Sequence, residues 1–246
     1  MKLYRFFCPD ITSEMSVLDE DESHHLRVLR LEKENQKVEL FDGAGNHRIA
    51  EVVCERNSKN IVLKGVGPIE TDEPFVPKTV LAVSLPKGER QDTLVQMCQE
   101  LALNKLIPMF CERSPERVTK AKTRLERWHR ITISAAKQSG VNFLTEICEP
   151  LKFQNIIQTA KNYSLALLFS PHGAEPITNL LNGRSGLSSV LCLIGPEGDF
   201  TEAELEEAKR CNCIPVSMPL PVMRVETAAI AALVLLRTLS NTELKK

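Results

Sequence analysis

The segment SSVLCLIGPEGDFTEAELEEAKRCNCIPVSM, residues 188–218, predicts a strand, a loop, a helix and a second strand in succession. Ser188–Ile194 is short and mostly apolar, which is typical of a strand buried on both faces of a parallel sheet. Gly195-Pro-Glu-Gly198 is a loop with a glycine at each end, and Thr201-Glu-Ala-Glu204 is a capping box that starts a helix. Ile214–Met218 predicts the next strand. This order is typical of an α/β fold.

The same alternation extends from about residue 78 to the end of the chain. Short apolar runs predict the strands, and apolar residues three or four positions apart predict the helices. The predicted strands are Thr79–Leu85, Lys105–Phe110 and Ser164–Phe169, and the predicted helices are Glu89–Asn104, Thr119–Gln138, Thr201–Cys211 and Val225–Leu239. We therefore expect a mostly parallel sheet covered by helices.

Residues 1 to about 70 have a different pattern, with short strands separated by turns. Strands are predicted at Lys37–Phe41, His47–Val53 and Asn60–Val66. Asp42-Gly43 is a hairpin signal between the first two of them. This region therefore predicts a small all-β barrel.

A stretch containing Gly and Pro, residues 67–77, separates the two patterns and predicts a linker. We therefore expect two domains, residues 1–72 and residues 73–246. The chain length of 246 residues suits one large domain or two small ones.

Composition excludes several classes of protein. Apolar residues make up 43% and charged residues 26% of the chain, as in ordinary globular proteins. The net charge is −1, so any surface for nucleic acid must be local. The longest apolar run, Ala228–Leu236, is too short to span a membrane, and the first ten residues lack a signal-peptide core. We expect a cytoplasmic protein. The eight cysteines lack C-x-x-C spacing, which favours free thiols over metal ligands or disulfides.

Three loops follow predicted parallel strands: 170–175, 195–199 and 219–224. Ligands of open α/β sheets bind beyond the carboxyl ends of the strands. The glycines of Gly195-Pro-Glu-Gly198 permit close approach of the backbone to a ligand, although the motif also suits a plain tight turn. Leu220, Val222 and Met223 are apolar where a surface loop is usually polar; they suit an adenine or a thioether, or alternatively pack under the next helix. Neither G-x-G-x-x-G nor a P-loop occurs at these loops, which disfavours a conventional nucleotide site.

Positive charge is concentrated in residues 113–137, which contain eight Lys or Arg residues and two Glu residues around Trp128. A phosphate backbone is the natural partner of such a segment, although a solvated helix face is the alternative. Arg27 and Arg30 form a second basic cluster, and their spacing of three predicts one helical face.

Two motifs together resemble the RsmE family of ribosomal RNA methyltransferases, which belongs to the SPOUT superfamily. They are Leu193-Ile-Gly-Pro-Glu-Gly198, followed by an acidic helix, and Met223-Arg-Val-Glu-Thr-Ala228. Weaker motifs fall in the family's order over nearly the whole chain: His25–Arg30, Phe41–Gly43, Lys87–Glu89, Glu100-Leu101, Glu112–Ser114 and Gln138-Ser139.

The resemblance implies a PUA-like RNA-binding β-barrel over residues 1–72 and a SPOUT α/β domain over residues 73–246. It further implies a trefoil knot at about 165–240, through which a homodimer forms. The implied reaction is methylation of uridine N3 in 16S ribosomal RNA of the small subunit, with S-adenosylmethionine as donor and no metal. The implied partners are therefore 16S rRNA and a second copy of the chain.

Together with this resemblance, the chemistry of N3 methylation, the three loops and the basic clusters lead us to expect the following roles for individual residues. Arg224 stabilises charge on a uracil carbonyl, and Glu226 orients Arg224 or accepts the proton. The expected cofactor-binding residues are Ser170, Ile194, Gly195, Pro196, Glu197, Gly198, Met218, Leu220, Met223, Thr227 and Ala228. The expected RNA-binding residues are Arg27, Arg30, Arg113, Arg124 and Arg127.

The chain departs from the family pattern at several positions. Asp199 replaces the usual second glycine after Glu, Met218-Pro-Leu-Pro221 replaces Leu-Gly-x-Arg, and Val225 replaces a threonine. These departures keep two alternatives open. One is a SPOUT enzyme that methylates a ribose 2′-oxygen of another RNA, and the other is a non-catalytic RNA-binding or ribosome-assembly protein.

Overall fold

The computed structural model describes residues 3–53, 59–115, 123–171, 175–182, 184 and 186–239. The chain divides into two compact units. Unit 1 comprises Met1–Pro74 and Ile133–Leu144, and unit 2 comprises Phe75–Thr132 and Thr145–Lys246. The predicted domain boundary between residues 72 and 73 stays a prediction.

The described residues of unit 1 form a curled six-stranded sheet. Its strands are β1 (Arg5–Phe7), β2 (Met15–Val17), β3 (Lys37–Phe41), β4 (Asn46–Val53), β5 (Val62–Gly65) and β6 (Glu70–Thr71). The order is β1-β3-β4-β5-β2, with β6 paired to β4, and only the β1–β3 pairing is parallel within the described residues. The predicted hairpin after Asp42 is confirmed, because β3 and β4 pair antiparallel. The buried side chains of Phe6, Leu40 and Leu63 lie in the core of this unit.

The prediction that this region is all-β is wrong at one place, because helix α1 spans Glu20–Val28. The Asp19 side chain accepts a hydrogen bond of 2.8 Å from the backbone N–H of Glu22, which caps the helix. The helix ends before Arg30, whose φ of 57° is left-handed. The prediction that Arg27 and Arg30 share one helical face is therefore wrong.

Residues 133–144 cluster with unit 1, although the sequence pattern assigned them to the second domain. The backbone N–H of Leu144 donates to the carbonyl of Gly43 at 2.9 Å, and the N–H of Gly45 donates to that of Asn142 at 3.0 Å. A Cβ at Gly45 would lie 2.4 Å from the Phe143 ring, so this close approach requires glycine. These contacts join residues about 100 positions apart, which local periodicity does not report.

Within the described residues, unit 2 contains the predicted parallel sheet, which has eight strands. They are β7 (Lys78–Ser84), β8 (Lys105–Phe110), β9 (Glu146–Ile147), β10 (Leu151–Lys152), β11 (Leu165–Phe169), β12 (Glu175–Pro176), β13 (Ser189–Ile194) and β14 (Ile214–Ser217). Their order is β10-β8-β7-β13-β11-β14-β12, with β9 paired to β8, and every pairing within the described residues is parallel. The α/β fold class is confirmed.

Helices cover both faces of this sheet. They are α2 (Arg90–Glu100), α3 (Leu125–Ser139, which continues into unit 1), α4 (Phe153–Ile157), α5 (Ile177–Leu181), α6 (Glu202–Arg210) and α7 (Val225–Leu239), with a 3-10 turn at Ala160–Asn162. The capping box at Thr201 and Glu204 is confirmed. The beginning of the predicted helix 119–138, residues 119–122, lies outside the described residues. No described helix is long and apolar enough to cross a membrane.

Candidate active site

The central strands β13, β11 and β14 are adjacent and parallel, so their carboxyl ends meet at one edge of the sheet. Ser170, Gly195 and Met218 follow these three strands directly, and all three line one cleft. This is the place at which open α/β sheets bind ligands. The described lining of the cleft consists of Phe169, Ser170, Pro171, Ile194, Gly195, Pro196, Glu197, Asp199, Met218, Leu220, Pro221, Val222, Met223, Val225 and Ala228.

All the residues that the sequence predicted for the cofactor line this cleft except Gly198 and Thr227. Thr227 is exposed in the first turn of α7. A Cβ at Gly198 would lie 3.4 Å from the Arg113 side chain, so this glycine faces Arg113. The expected cofactor-binding residues did not include the lining residues Phe169, Pro171, Asp199, Pro221, Val222 and Val225, although all six lie within one or two positions of an expected one. Loop residues 172–174 lie outside the described residues.

The GPEG loop, residues 195–198, is held by hydrogen bonds on both sides. The backbone N–H of Asp199 donates to the Pro196 carbonyl at 2.9 Å, which closes a turn. Arg113 Nη1 donates to the Gly198 carbonyl at 2.7 Å. A Cβ at Gly195 would lie 2.9 Å from the Phe200 ring. The ring therefore requires this glycine, whereas the sequence interpretation attributed it to ligand approach.

The apolar loop, residues 218–223, presents side chains that the described chain does not cover. Val222 is 84% exposed and Leu220 is 53% exposed. The alternative interpretation, in which these residues pack under the next helix, is therefore wrong for both. The loop is tightly bent, because the backbone N–H of Leu220 donates to the Met218 carbonyl at 2.7 Å. Uncovered apolar side chains beside a cleft are typical of a ligand site or an interface.

An arginine that the sequence analysis did not single out, Arg90, joins two predicted site residues. Its guanidinium lies 3.6 Å from Glu197 Oε1 on the GPEG loop and 3.4 Å from Glu226 Oε1 on α7. The side chain of Glu226 is only 13% exposed. Within the described residues Glu226 pairs with Arg90 and no ion pair joins it to Arg224, so the expectation that Glu226 orients Arg224 stays a prediction.

Arg224 lies directly before α7, between Met223 and Val225, which both line the cleft. Its side chain is exposed, and no ion pair of it occurs within the described residues. An exposed cation at the rim of a largely apolar cleft is available to a substrate. The site therefore combines an apolar floor, a rigid turn and a rim cation.

The predicted RNA-binding arginines are divided between the two units. In unit 2, Arg124 donates to the side chain of Gln91, and Arg127 forms an ion pair with Asp92. In unit 1, Arg27 donates to the Lys59 carbonyl at 2.9 Å, and Arg30 is exposed. The basic residues Arg117, Lys120 and Lys122 lie outside the described residues.

Trp128, which the sequence places inside the basic segment, is fully buried, and its Nε1 donates to Asp92 at 3.2 Å. It therefore cannot stack on a base. Near the GPEG loop, burial raises the pKa of the Cys111 thiol, with a smaller contribution from the Glu204 carboxylate. This thiol is protonated at neutral pH and is a poor nucleophile. The described residues contain no His, Cys, Asp and Glu group arranged for a metal ion.

Comparison with known proteins places this site in a family. A family model described as an RNA methyltransferase domain matches residues 72–237, and one described as an RNA methyltransferase PUA domain matches residues 18–64. Ribosomal RNA small subunit methyltransferase E of a Synechocystis species is 32% identical, over 85% of this chain and 68% of its own length. The chain belongs to the ribosomal RNA small subunit methyltransferase E family.

Two further members of the methyltransferase E family match almost from end to end. The Rickettsia conorii protein is 28% identical over 98% of both chains. The crystal structure of the Neisseria gonorrhoeae enzyme, bound to S-adenosyl methionine, superposes with a TM-score of 0.84 at 28% identity, covering 97% of this chain and 98% of that one. The resemblance to this family and the PUA-like domain are confirmed.

Proposed function

We propose that this chain transfers the methyl group of S-adenosylmethionine to N3 of a uridine in 16S rRNA of the small ribosomal subunit. The observation that carries the proposal is the cleft at the carboxyl ends of β11, β13 and β14, within a chain of the methyltransferase E family. Every described residue of that cleft lies in unit 2.

The residues that line the cleft suit S-adenosylmethionine. Leu220, Val222 and Met223 offer an apolar surface for an adenine, and the turn at Pro196 and Glu197 offers backbone polar groups for its edge. Ser170, Ile194, Gly195, Met218 and Ala228 complete the proposed binding surface, which Gly198 and Thr227 adjoin. When bound, S-adenosylmethionine supplies an electrophilic methyl group on a sulfonium sulfur.

The residues of this chain then have to activate a weak nucleophile. Uridine N3 carries a proton and lies between two carbonyl groups, so negative charge develops on their oxygens as the proton leaves. Arg224, as the rim cation, stabilises that charge. The apolar loop excludes water from the reacting atoms.

Glu226 has a positioning role in this proposal. Its ion pair with Arg90, which also contacts Glu197, ties the start of α7 to the GPEG loop. The rim cation and the cofactor loop are thereby held in one geometry, as in-line transfer requires. The competing role for Glu226, acceptance of the N3 proton, predicts that Glu226→Gln abolishes turnover even when cofactor affinity is kept.

RNA binding and assembly belong to the same proposal. Arg27 and Arg30 in unit 1, and Arg113, Arg124 and Arg127 in unit 2, are the proposed contacts to the RNA backbone. A homodimer forms through the knotted region at about 165–240. The side chains of Leu220 and Val222 are exposed and apolar, which supports their burial against the cofactor or against a second copy of the chain.

The experiment combines calorimetry with a methylation assay on small ribosomal subunits. Arg224→Ala is expected to bind S-adenosylmethionine with unchanged affinity and to lose about 100- to 1000-fold in turnover, the usual effect of removing one charge-stabilising group. Arg210→Ala, at an exposed arginine on α6, is the matched control and keeps full turnover. Wild-type turnover in Arg224→Ala would overturn its assignment, and no cofactor binding by the wild type would overturn the proposed function.

A further inference from the structure

The charged residues in the described lining of the cleft are both acidic. Glu197 has Arg90 as its partner at 3.6 Å. No basic side chain lies within ion-pair distance of Asp199 among the described residues, and its carboxylate Oδ2 accepts a hydrogen bond of 2.7 Å from Ser170 Oγ. A carboxylate in a mainly apolar cleft is stable where a cation or hydrogen-bond donor completes it.

The backbone at Asp199 is held in a conformation that side chains disfavour. Its φ is 57°, in the left-handed region, where Asp is tolerated better than most residues but glycine is preferred. The turn to Pro196 fixes the backbone, and Ser170 fixes the carboxylate. Ser170 is itself only 3% exposed, and its backbone N–H donates to the Val216 carbonyl at 2.9 Å. The carboxylate is therefore preorganised toward the cleft.

We infer that Asp199 is a specificity residue that recognises the positive charge of the bound cofactor. The inference rests on the proposed function, because it takes S-adenosylmethionine as the ligand. That molecule offers two cations, the sulfonium and the α-ammonium, and either one supplies the positive charge that no described residue places within ion-pair distance of Asp199. The low polarity of the cleft strengthens the attraction over its value in water.

Three adenine nucleosides that differ in the cations they carry show which of the two cations Asp199 recognises. S-Adenosylmethionine carries both charges, S-adenosylhomocysteine carries only the ammonium, and 5′-methylthioadenosine carries neither. Calorimetry of the full chain and of Asp199→Asn is expected to show at least tenfold weaker binding of S-adenosylmethionine, with 5′-methylthioadenosine changed less than twofold. If S-adenosylhomocysteine weakens equally, the ammonium is the partner, and if it is unchanged, the sulfonium is.

Controls separate recognition from folding. Asp199→Gly relieves the left-handed backbone and is expected to lose the same selectivity while remaining folded. Glu202→Gln removes an exposed carboxylate at the start of α6, outside the cleft lining, and its ratio of S-adenosylmethionine affinity to 5′-methylthioadenosine affinity stays within twofold of the wild type.

Two outcomes overturn the inference: an equal loss for all three nucleosides in Asp199→Asn and Asp199→Gly, or no loss for any of them. Both outcomes overturn it only if the wild-type chain binds S-adenosylmethionine in the same assay. A wild type that binds none of the three refutes the proposed function itself, so the two failures are distinguishable.

Discussion

Adding one methyl group at Gly195 tests how the cofactor loop is packed. In Gly195→Ala the new Cβ would lie 2.9, 3.0 and 3.2 Å from three atoms of the Phe200 ring, where relaxed carbon contacts lie at about 3.5–4.0 Å. The ring cannot easily move, because Phe200 is 3% exposed and its centroid lies 5.4 Å from that of Phe153. Overpacking of this kind costs about 1–3 kcal/mol.

The matched control is Gly198→Ala in the same loop. Its Cβ would meet only the flexible Arg113 side chain, 3.4 Å away, so we expect a change of at most about 0.5 kcal/mol. Urea unfolding followed by the fluorescence of Trp128, the single tryptophan, reports on unit 2. A Gly195→Ala midpoint equal to that of the wild type, or an equal loss in Gly198→Ala, would refute the packing argument.

Three further predictions concern charge. Arg90→Ala leaves Glu226 without its partner and is expected to weaken S-adenosylmethionine binding about fivefold by calorimetry, with Arg90→Lys restoring most of it; full affinity in the alanine variant would contradict this. Arg127→Ala, at an exposed proposed RNA contact on α3, is expected to lower the salt slope of RNA affinity by about 0.7–0.9, because one fewer phosphate is neutralised, and an unchanged slope would show that this position of α3 is merely solvated. Burial lowers the pKa of His25, so the unfolded state takes up this proton at a higher pH than the folded state and the free energy of unfolding falls as the pH drops below about 6.5. In urea unfolding at several pH values, His25→Gln is expected to reduce this fall. An equal reduction by the neighbouring His24→Gln would contradict the assignment.

Local patterns predicted the elements that repeat with a simple period. The strand Ser189–Ile194 and the helix Val225–Leu239 were predicted to within one residue, because burial on a sheet or a core leaves a periodic signal in the sequence. The cleft followed from a topological rule, since parallel strands bring their carboxyl ends to one edge. Helix α1 was not predicted because it is mostly polar, and its one fully buried leucine, Leu26, gives no repeating apolar pattern.

The remaining site features depend on contacts that the sequence separates. Arg90 and Glu226 are 136 positions apart, and no local pattern reports their ion pair. The packing role of Gly195 could not be predicted, because a motif shows that a Cβ is absent, but only the fold shows that Phe200 occupies its place. Asp199 was visible as a departure from the family pattern, whereas its hydrogen bond with Ser170 required the folded chain.

The proposed reaction can be tested by a methylation assay on small ribosomal subunits from a strain lacking this gene. Labelled S-adenosylmethionine is the donor, and digestion followed by nucleoside chromatography identifies the product. We expect label in 3-methyluridine with the wild-type chain and none with an Arg224→Ala variant that still binds the donor. Label in a 2′-O-methylated nucleoside, or no label despite measurable donor binding, would contradict the proposed reaction.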